Sequence, residues 1–189
     1  VFKGFYKDAC GLGRFGGQGS HALERILRDI ELPTPIFSRF ECPYHILQGD
    51  ARSVAHRLPE LDLAYLDPPY NQHPYGSNYF MLNLIVSHRR PAAISRVSGI
   101  PTDWNRSPYN KRAKAAQELF ALVEACPARF ILISYNSEGF VPPDAFVDTL
   151  QRLGKLSVFE QEYNTFRACR NLRNRSIKVR EFIFLLEKF

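Results

Sequence analysis

The feature that most constrains this chain is four residues long. Asp67-Pro68-Pro69-Tyr70 closes the apolar run Leu61-Asp62-Leu63-Ala64-Tyr65-Leu66. Two successive prolines cannot extend a strand, because each lacks an N–H and fixes φ. The run therefore ends in a rigid loop whose carbonyl oxygens point outward. Ahead of it, Tyr44-His45-Ile46-Leu47-Gln48 reads as a short apolar strand ending at Gly49-Asp50, and Ala51 to Leu58 reads as a helix. Strand, helix, strand in this order predicts a βαβ unit and a parallel α/β sheet. In open sheets of this class ligands bind at the carboxyl ends of the strands. The Asp-Pro-Pro-Tyr loop is placed where such a site is expected.

Downstream, Phe80 to Val86 reads as a helix, and residues 91–109, with Pro91, Gly99, Pro101 and Pro108, read as a long loop. Loops of that length are usually functional or disordered. Lys111 to Cys126 carries Ala115, Leu119, Leu122 and Val123 at helical spacing. Arg129 to Ser134 reads as a buried strand, and Ala145 to Leu153 as a helix stopped by Gly154. Leu156 to Phe166 and Ile177 to Glu187 are strand-like runs with no helix between them, which predicts a terminal antiparallel hairpin. Upstream, residues 1–20 read as a glycine-rich, irregular stretch. A helix is expected from Ser20 as N-cap through Arg28, and Glu31 to Pro43 reads as a connector. The chain thus divides into residues 1–43 and 44–189.

Bulk properties narrow the partners. The chain has 189 residues, a formal charge of +6 and a pI near 9.3. A basic surplus favours anionic partners, nucleic acid first among them, although a merely basic soluble protein fits equally well. No apolar run approaches the roughly 18 residues of a membrane span, so no membrane partner is expected. Cys10, Cys42, Cys126 and Cys169 are too dispersed for a zinc site or a disulfide framework. Free thiols, no metal and a cytoplasmic location are the expectation. The chain starts at Val1, not at Met, which suggests a piece of something longer.

The loop presents one carboxylate, rigid carbonyl acceptors and one aromatic ring together. That set suits an exocyclic purine amine, a poor nucleophile because its lone pair is delocalised into the ring. Acceptors for its two N–H bonds would draw the nitrogen towards tetrahedral geometry and free the lone pair for attack on a methyl donor. Tyr70 would stack on a base taken out of the duplex. The plain alternative is a Pro-Pro turn carrying a solvent-exposed Asp.

Longer stretches extend the motif. Tyr65 to Tyr79, with Gly49-Asp50-Ala51 before it and Ser134-Tyr135-Asn136-Ser137-Glu138-Gly139 after it, resembles the D12 class of N6-adenine DNA methyltransferases. The resemblance implies an S-adenosylmethionine-dependent methyltransferase (Rossmann-like) sheet and transfer to N6 of a flipped adenine in double-stranded DNA. It gives Asp67 and Pro68, with Pro69 completing the motif, the target amine, and Tyr70 the base. It places Asp50 near the adenine of S-adenosyl-L-methionine; an N-cap for the next helix is the alternative for Asp50. Asn71, His73, Asn78, Tyr79 and Asn136 are candidates for the substrate pocket. A loop-positioning His, a core Tyr79 and a turn-forming Asn136 are their structural alternatives. Arg106, Lys111 and Arg112, with Arg96, Trp104 and Tyr109 nearby, are candidates for DNA binding. So are Arg167, Arg170, Arg173 and Arg175, for which a solvated hairpin tip is the alternative.

The chain departs from the family at the cofactor loop, a Phe-x-Gly-x-Gly turn after the first strand. Gly11-Leu12-Gly13-Arg14-Phe15-Gly16 matches GxGxxG by letters, but Phe2 to Asp8 before it is a poor strand and no acid follows at the end of a second one. The segment reads as a glycine-rich loop, and residues 1–43 as a candidate part of the target-recognition region. The cofactor loop is then expected upstream of Val1, with the N-terminal strand or strands of the sheet missing and no activity from these residues alone. Further expected partners are that missing segment or a partner chain, and a cognate restriction endonuclease. Two rivals remain: an amino-methyltransferase acting on RNA or protein, against which Asp67 argues because relatives of that kind commonly carry Asn there, and a non-catalytic DNA-binding remnant.

Overall fold

A computed structural model describes residues 5–7, 13–15, 33–96, 100–164 and 178–189. The chain divides into two compact units, Val1–His45 and Ile46–Phe189. In the first, β1 (Phe5–Lys7) pairs antiparallel with β2 (Gly13–Phe15), with Phe5 opposite Phe15. The stretch expected to be irregular thus contains a small hairpin. Gly13, the second glycine of the GxGxxG letters, lies in one of its strands. The helix expected from Ser20 lies outside the described residues.

In the second unit the elements are α1 (Ala51–Ala55), β3 (Leu61–Leu66), α2 (Tyr75–Asn78), α3 (Phe80–Ser87), a 3-10 turn at Pro108–Asn110, α4 (Arg112–Ala125), β4 (Ala128–Asn136), α5 (Pro143–Leu150), β5 (Gly154–Asn164) and β6 (Lys178–Lys188). The sheet order is β3-β4-β6-β5, with β3 parallel to β4 and β6 antiparallel to both its neighbours. This is a mixed α/β sheet ending in the expected antiparallel hairpin. Gly154 opens β5 opposite Lys188 and does not cap the preceding helix, which ends at Leu150. A Cβ at Gly154 would run into the Glu187 carbonyl.

The expected strand Tyr44–Gln48 is not formed. The residues have no regular structure, and Tyr44 and Ile46 are 80% and 86% exposed. A strand needs a neighbouring ladder to satisfy its N–H and C=O groups. None of the strand pairings formed by the described residues includes this segment.

The core lies on one face of the sheet. β4 alternates Ile131, Ile133 and Tyr135 inward, and β6 sets Leu186, Phe184 and Phe182 opposite them; all six are buried. Phe146 of α5 stacks on Phe184 at 4.4 Å between centroids and meets Phe120 of α4 edge-on. Helix α4 buries Ala115, Leu119, Leu122 and Val123, the four positions its periodicity marks out. Its C-terminal carbonyls are capped by Lys188, whose Nζ donates to the oxygens of Val123, Glu124 and Cys126, a cation placed at the negative end of the helix dipole.

Candidate active site

β3 ends at Leu66, so Asp67 emerges at the carboxyl edge of the sheet, beside the end of β4. The loop that follows is tied down at successive carbonyls. Phe140 N–H donates to Tyr70 O at 2.9 Å, and Tyr135 OH approaches the same oxygen at 3.4 Å. Asn110 Nδ2 donates to Asn71 O at 2.7 Å. Tyr135 in turn accepts from Val141 N–H. Gly139 permits this packing, because a Cβ there would overlap the Tyr135 ring.

Tyr70 is the centre of the side-chain arrangement. Its hydroxyl donates to Asp67 Oδ1 at 2.8 Å and lies 3.1 Å from Ser134 Oγ. Its ring meets Tyr135 in a T-shaped contact at 4.9 Å. Burial is the main cause that pushes the Tyr70 phenol far above its ordinary range, with Asp67 adding to it. The hydroxyl therefore stays protonated and acts as a fixed donor to the carboxylate. Glu181 faces the same cluster from β6, opposite Asn136 in register. Burial raises its pKa first of all; the Asn136 hydrogen bond opposes this, and the charges of Asp67 and Glu138 add to it. Two carboxylates, an amide, a serine hydroxyl and a phenol thus share one end of the sheet.

The other predicted residues fall around this centre. Pro68 and Pro69 are half-buried in the loop. Asn71 accepts the His73 N–H on its side-chain oxygen, a local turn, and the exposed His73 ring lies 3.4 Å from Gln72 Nε2. Asn78 and Tyr79 are exposed, so Tyr79 is no core aromatic; it stacks on Tyr75 at 5.6 Å. Burial raises the Tyr75 phenol, and so does the charge of Asp67. Asn136 serves the turn, accepting Glu138 N–H, as well as the cluster. Asp50 is the N-cap of α1, its Oδ1 taking the Ser53 N–H at 3.0 Å. It lies near Tyr109, whose phenol is raised to about 12 by burial first and then by Asp50 and Glu118. Tyr109 is buried and offers no ring to a ligand. Arg106 lies over the Trp104 ring, Arg112 over Phe140, and Lys111 is exposed at the start of α4. Arg167, Arg170, Arg173 and Arg175 lie outside the described residues. The strands flanking them end at Asn164 and begin at Lys178, on the same sheet edge as Asp67.

Sequence reasoning missed Ser134, Tyr135 and Glu181 as members of the cluster. The available signal was an acid, Glu181, leading directly into the apolar run Phe182-Ile183-Phe184-Leu185-Leu186.

Residues 40–97 match the family of D12 class N6 adenine-specific DNA methyltransferases. Over those residues the chain is similar to that family. It is 27% identical across its whole length to the type II methyltransferase M.NlaIII of Neisseria lactamica, covering 56% of that protein. It is 34% identical over 57% of its length to the type II methyltransferase M.CviAII of Paramecium bursaria Chlorella virus 1, covering 32% of it. Against the type II methyltransferase M.FokI of Planomicrobium okeanokoites it is 25% identical over 93% of its length, covering 27%. The chain spans about half the length of the first of these relatives and a third or less of the others. No solved structure matches it.

Among the described residues no helix is long and apolar enough to cross a membrane, and no cluster of three His, Cys, Asp or Glu residues is arranged to hold a metal. Cys42 and Cys126 are free thiols.

Proposed function

We propose that this D12 relative is the amine-presenting part of a DNA methyltransferase, taking a methyl group from S-adenosylmethionine to N6 of an adenine extruded from duplex DNA. The observation that carries the reading is the Asp67 carboxylate. It stands at the carboxyl edge of β3, inside the segment that matches the family, and Tyr70 fixes it at 2.8 Å. With Oδ1 held by that phenol, Oδ2 accepts one N–H of the amine and the Pro68 carbonyl accepts the other. The nitrogen lone pair then localises on the face turned to the methyl group. Tyr70 offers its ring to the base; its contact with Tyr135 is T-shaped, at 63° between the ring planes, and not a parallel stack. After transfer the surplus proton leaves to Asp67 or to water.

S-adenosylmethionine, when bound, supplies an electrophilic methyl group. The fit of the described residues to it is partial: Asp50 caps α1 through Oδ1, leaving Oδ2 for the adenosine end. We read the sheet as a portion of a larger Rossmann-like one. Sheets of that class are covered on both faces. Here Leu63 and Tyr65 of β3 and Phe159 of β5 are 53%, 60% and 58% exposed on the face opposite the core, and among the described residues β3 has a partner on one edge only. Further strands and a second helix layer, from a further segment or a partner chain, suit that face. A cytoplasmic location and a companion restriction endonuclease belong to the same reading.

The test is transfer of labelled methyl groups to adenine-containing duplex DNA, by these residues alone and by a longer form of the protein. The longer form turns over and these residues alone do not. Asp67→Ala in the longer form loses at least about a hundredfold in rate, roughly 2.7 kcal/mol of barrier, with cofactor affinity nearly unchanged. Activity within tenfold of wild type would overturn the assignment.

A further inference from the structure

Beside the motif loop lies a cleft of about 500 Å³, within the roughly 300–1,000 Å³ of small-ligand sites. One wall is the motif's extension, Gln72, His73 and Ser77; the other is the loop after α3, with Thr102, Trp104 and Arg106. The second wall is built, not draped. Ile94 and Pro101 form a β-bridge, Thr102 N–H donates to Ala93 O, and Ser95 N–H donates to Ile100 O. It docks where Gly76 lets the Asn105 backbone approach; a Cβ at Gly76 would stand 3.1 Å from Asn105 O. The surroundings are strongly basic, since residues 87–114 hold seven Lys or Arg against a single acid, Asp103.

Resting on the methyltransferase reading, we propose that this cleft holds a DNA nucleotide next to the target adenine, its phosphate on Arg106 and its base against Trp104. The Arg106 guanidinium lies 4.2 Å over the indole. A guanidinium carries five N–H donors, and a contact with the indole ring consumes none of them, which leaves donors for phosphate oxygens. The remaining indole surface gives a sequence-tolerant stacking platform. Gln72, Ser77 and Thr102 supply donors and acceptors for a base edge. A polyanion suits this lining better than the cationic methyl donor does, because the surrounding charge is positive. The cleft adjoins the motif through Gln72 and His73, so a nucleotide in it is a near neighbour of the base presented to Asp67.

Trp104 is the chain's single tryptophan, so its emission reports the cleft alone. The full chain is titrated with a short adenine-containing duplex while tryptophan emission and the anisotropy of the end-labelled DNA are followed. DNA changes the emission saturably, at the concentrations that raise the anisotropy. Arg106→Gln weakens binding about tenfold and lowers the slope of log affinity against log salt by about one. Trp104→Phe binds within a few-fold of wild type, whereas Trp104→Ala loses roughly 5- to 100-fold. Thermal unfolding checks both tryptophan variants, and should Trp104→Ala fail to fold, Arg106→Gln and its salt slope decide. DNA binding with unchanged emission, wild-type binding by Arg106→Gln, or no binding at all overturns the proposal. So does an equal emission change with S-adenosylmethionine alone, which would make the cleft a cofactor pocket. These readings follow binding and not methyl transfer, so the cleft can fail while the Asp67→Ala transfer test holds, and the transfer test can fail while the cleft holds.

Discussion

The two faces of the sheet use the same residue types to different ends. On the covered face, Ile131, Ile133, Tyr135, Phe182, Phe184 and Leu186 are locked beneath α4 and α5. On the open face, Leu63, Tyr65 and Phe159 remain more than half exposed, and the carboxyl ends of β3 and β4 carry Asp67, Ser134 and Asn136 with Glu181 beside them. The difference separates stability from chemistry. Burial on one face makes a rigid platform, and the polar groups gather where the second layer is thin. The aromatic chain Phe120–Phe146–Tyr135–Tyr70 crosses from one to the other, joining the core to the motif through ring contacts.

The largest effect is expected in the core. Phe146→Ala removes a fully buried ring that stacks on Phe184 and touches Tyr135. A loss of about 3–5 kcal/mol in unfolding free energy is expected by chemical denaturation. Because Tyr135 holds the motif loop, residual activity in a longer form should fall as well. A loss below about 1 kcal/mol would mean that the two faces are not energetically unequal.

At the junction, Tyr70→Phe keeps the ring and deletes the hydroxyl shared by Asp67 and Ser134. A hydrogen bond of this kind contributes about 0.5–1.5 kcal/mol, so methyl transfer should fall roughly 2- to 12-fold. Tyr70→Ala should cost roughly 1–3 kcal/mol more through lost stacking. Equal losses in both variants would assign the residue's role to the hydroxyl alone.

Glu181 gives a smaller effect, readable against pH. Its pKa is raised by burial and by Asp67, so the folded protein resists its ionisation. For a raised carboxyl the favourable contribution is complete at low pH, below the unfolded value, and disappears as pH climbs through the folded one. Glu181→Gln keeps a partner for Asn136 and removes the charge. It should therefore match wild type in acid and become the more stable form from the ordinary glutamate range upward. Melting curves of the two proteins that stay parallel across that range would exclude the strain.

Much of the covered face was legible because burial leaves a periodic record. The spacing of Ala115, Leu119, Leu122 and Val123 gave the buried stripe of α4, a continuous apolar run gave β4, and two strand-like runs with no helix between them gave the closing hairpin. The motif's position after β3 followed from the prolines. Tyr44 to Gln48 misled because a short apolar run records a preference for a strand and says nothing of whether a partner is present to pair with it. Ser134 and Glu181 were hidden for a related reason: they join Asp67 through cross-strand register, which no local pattern encodes. Tyr109 looked like a ligand-facing aromatic beside basic residues, yet the 3-10 turn at Pro108–Asn110 buries it.

The smallest effect tests the open face. Leu63 and Tyr65 point away from the core, on the strand whose outer edge is unpaired among the described residues. Leu63→Ser and Tyr65→Ser remove little buried area, so each should change unfolding free energy within about 0.5 kcal/mol. An exposed apolar face beside an unpaired strand edge favours association between copies. The same substitutions should therefore reduce concentration-dependent association of the chain in analytical ultracentrifugation while the melting temperature hardly moves. In a longer form of the protein the outcome should reverse. If further strands and helices cover this face, Leu63 becomes a core residue, and Leu63→Ser should then cost several-fold more stability than in the chain alone. An equal and small cost in both forms would mean that the face stays open and that the larger sheet has been misread.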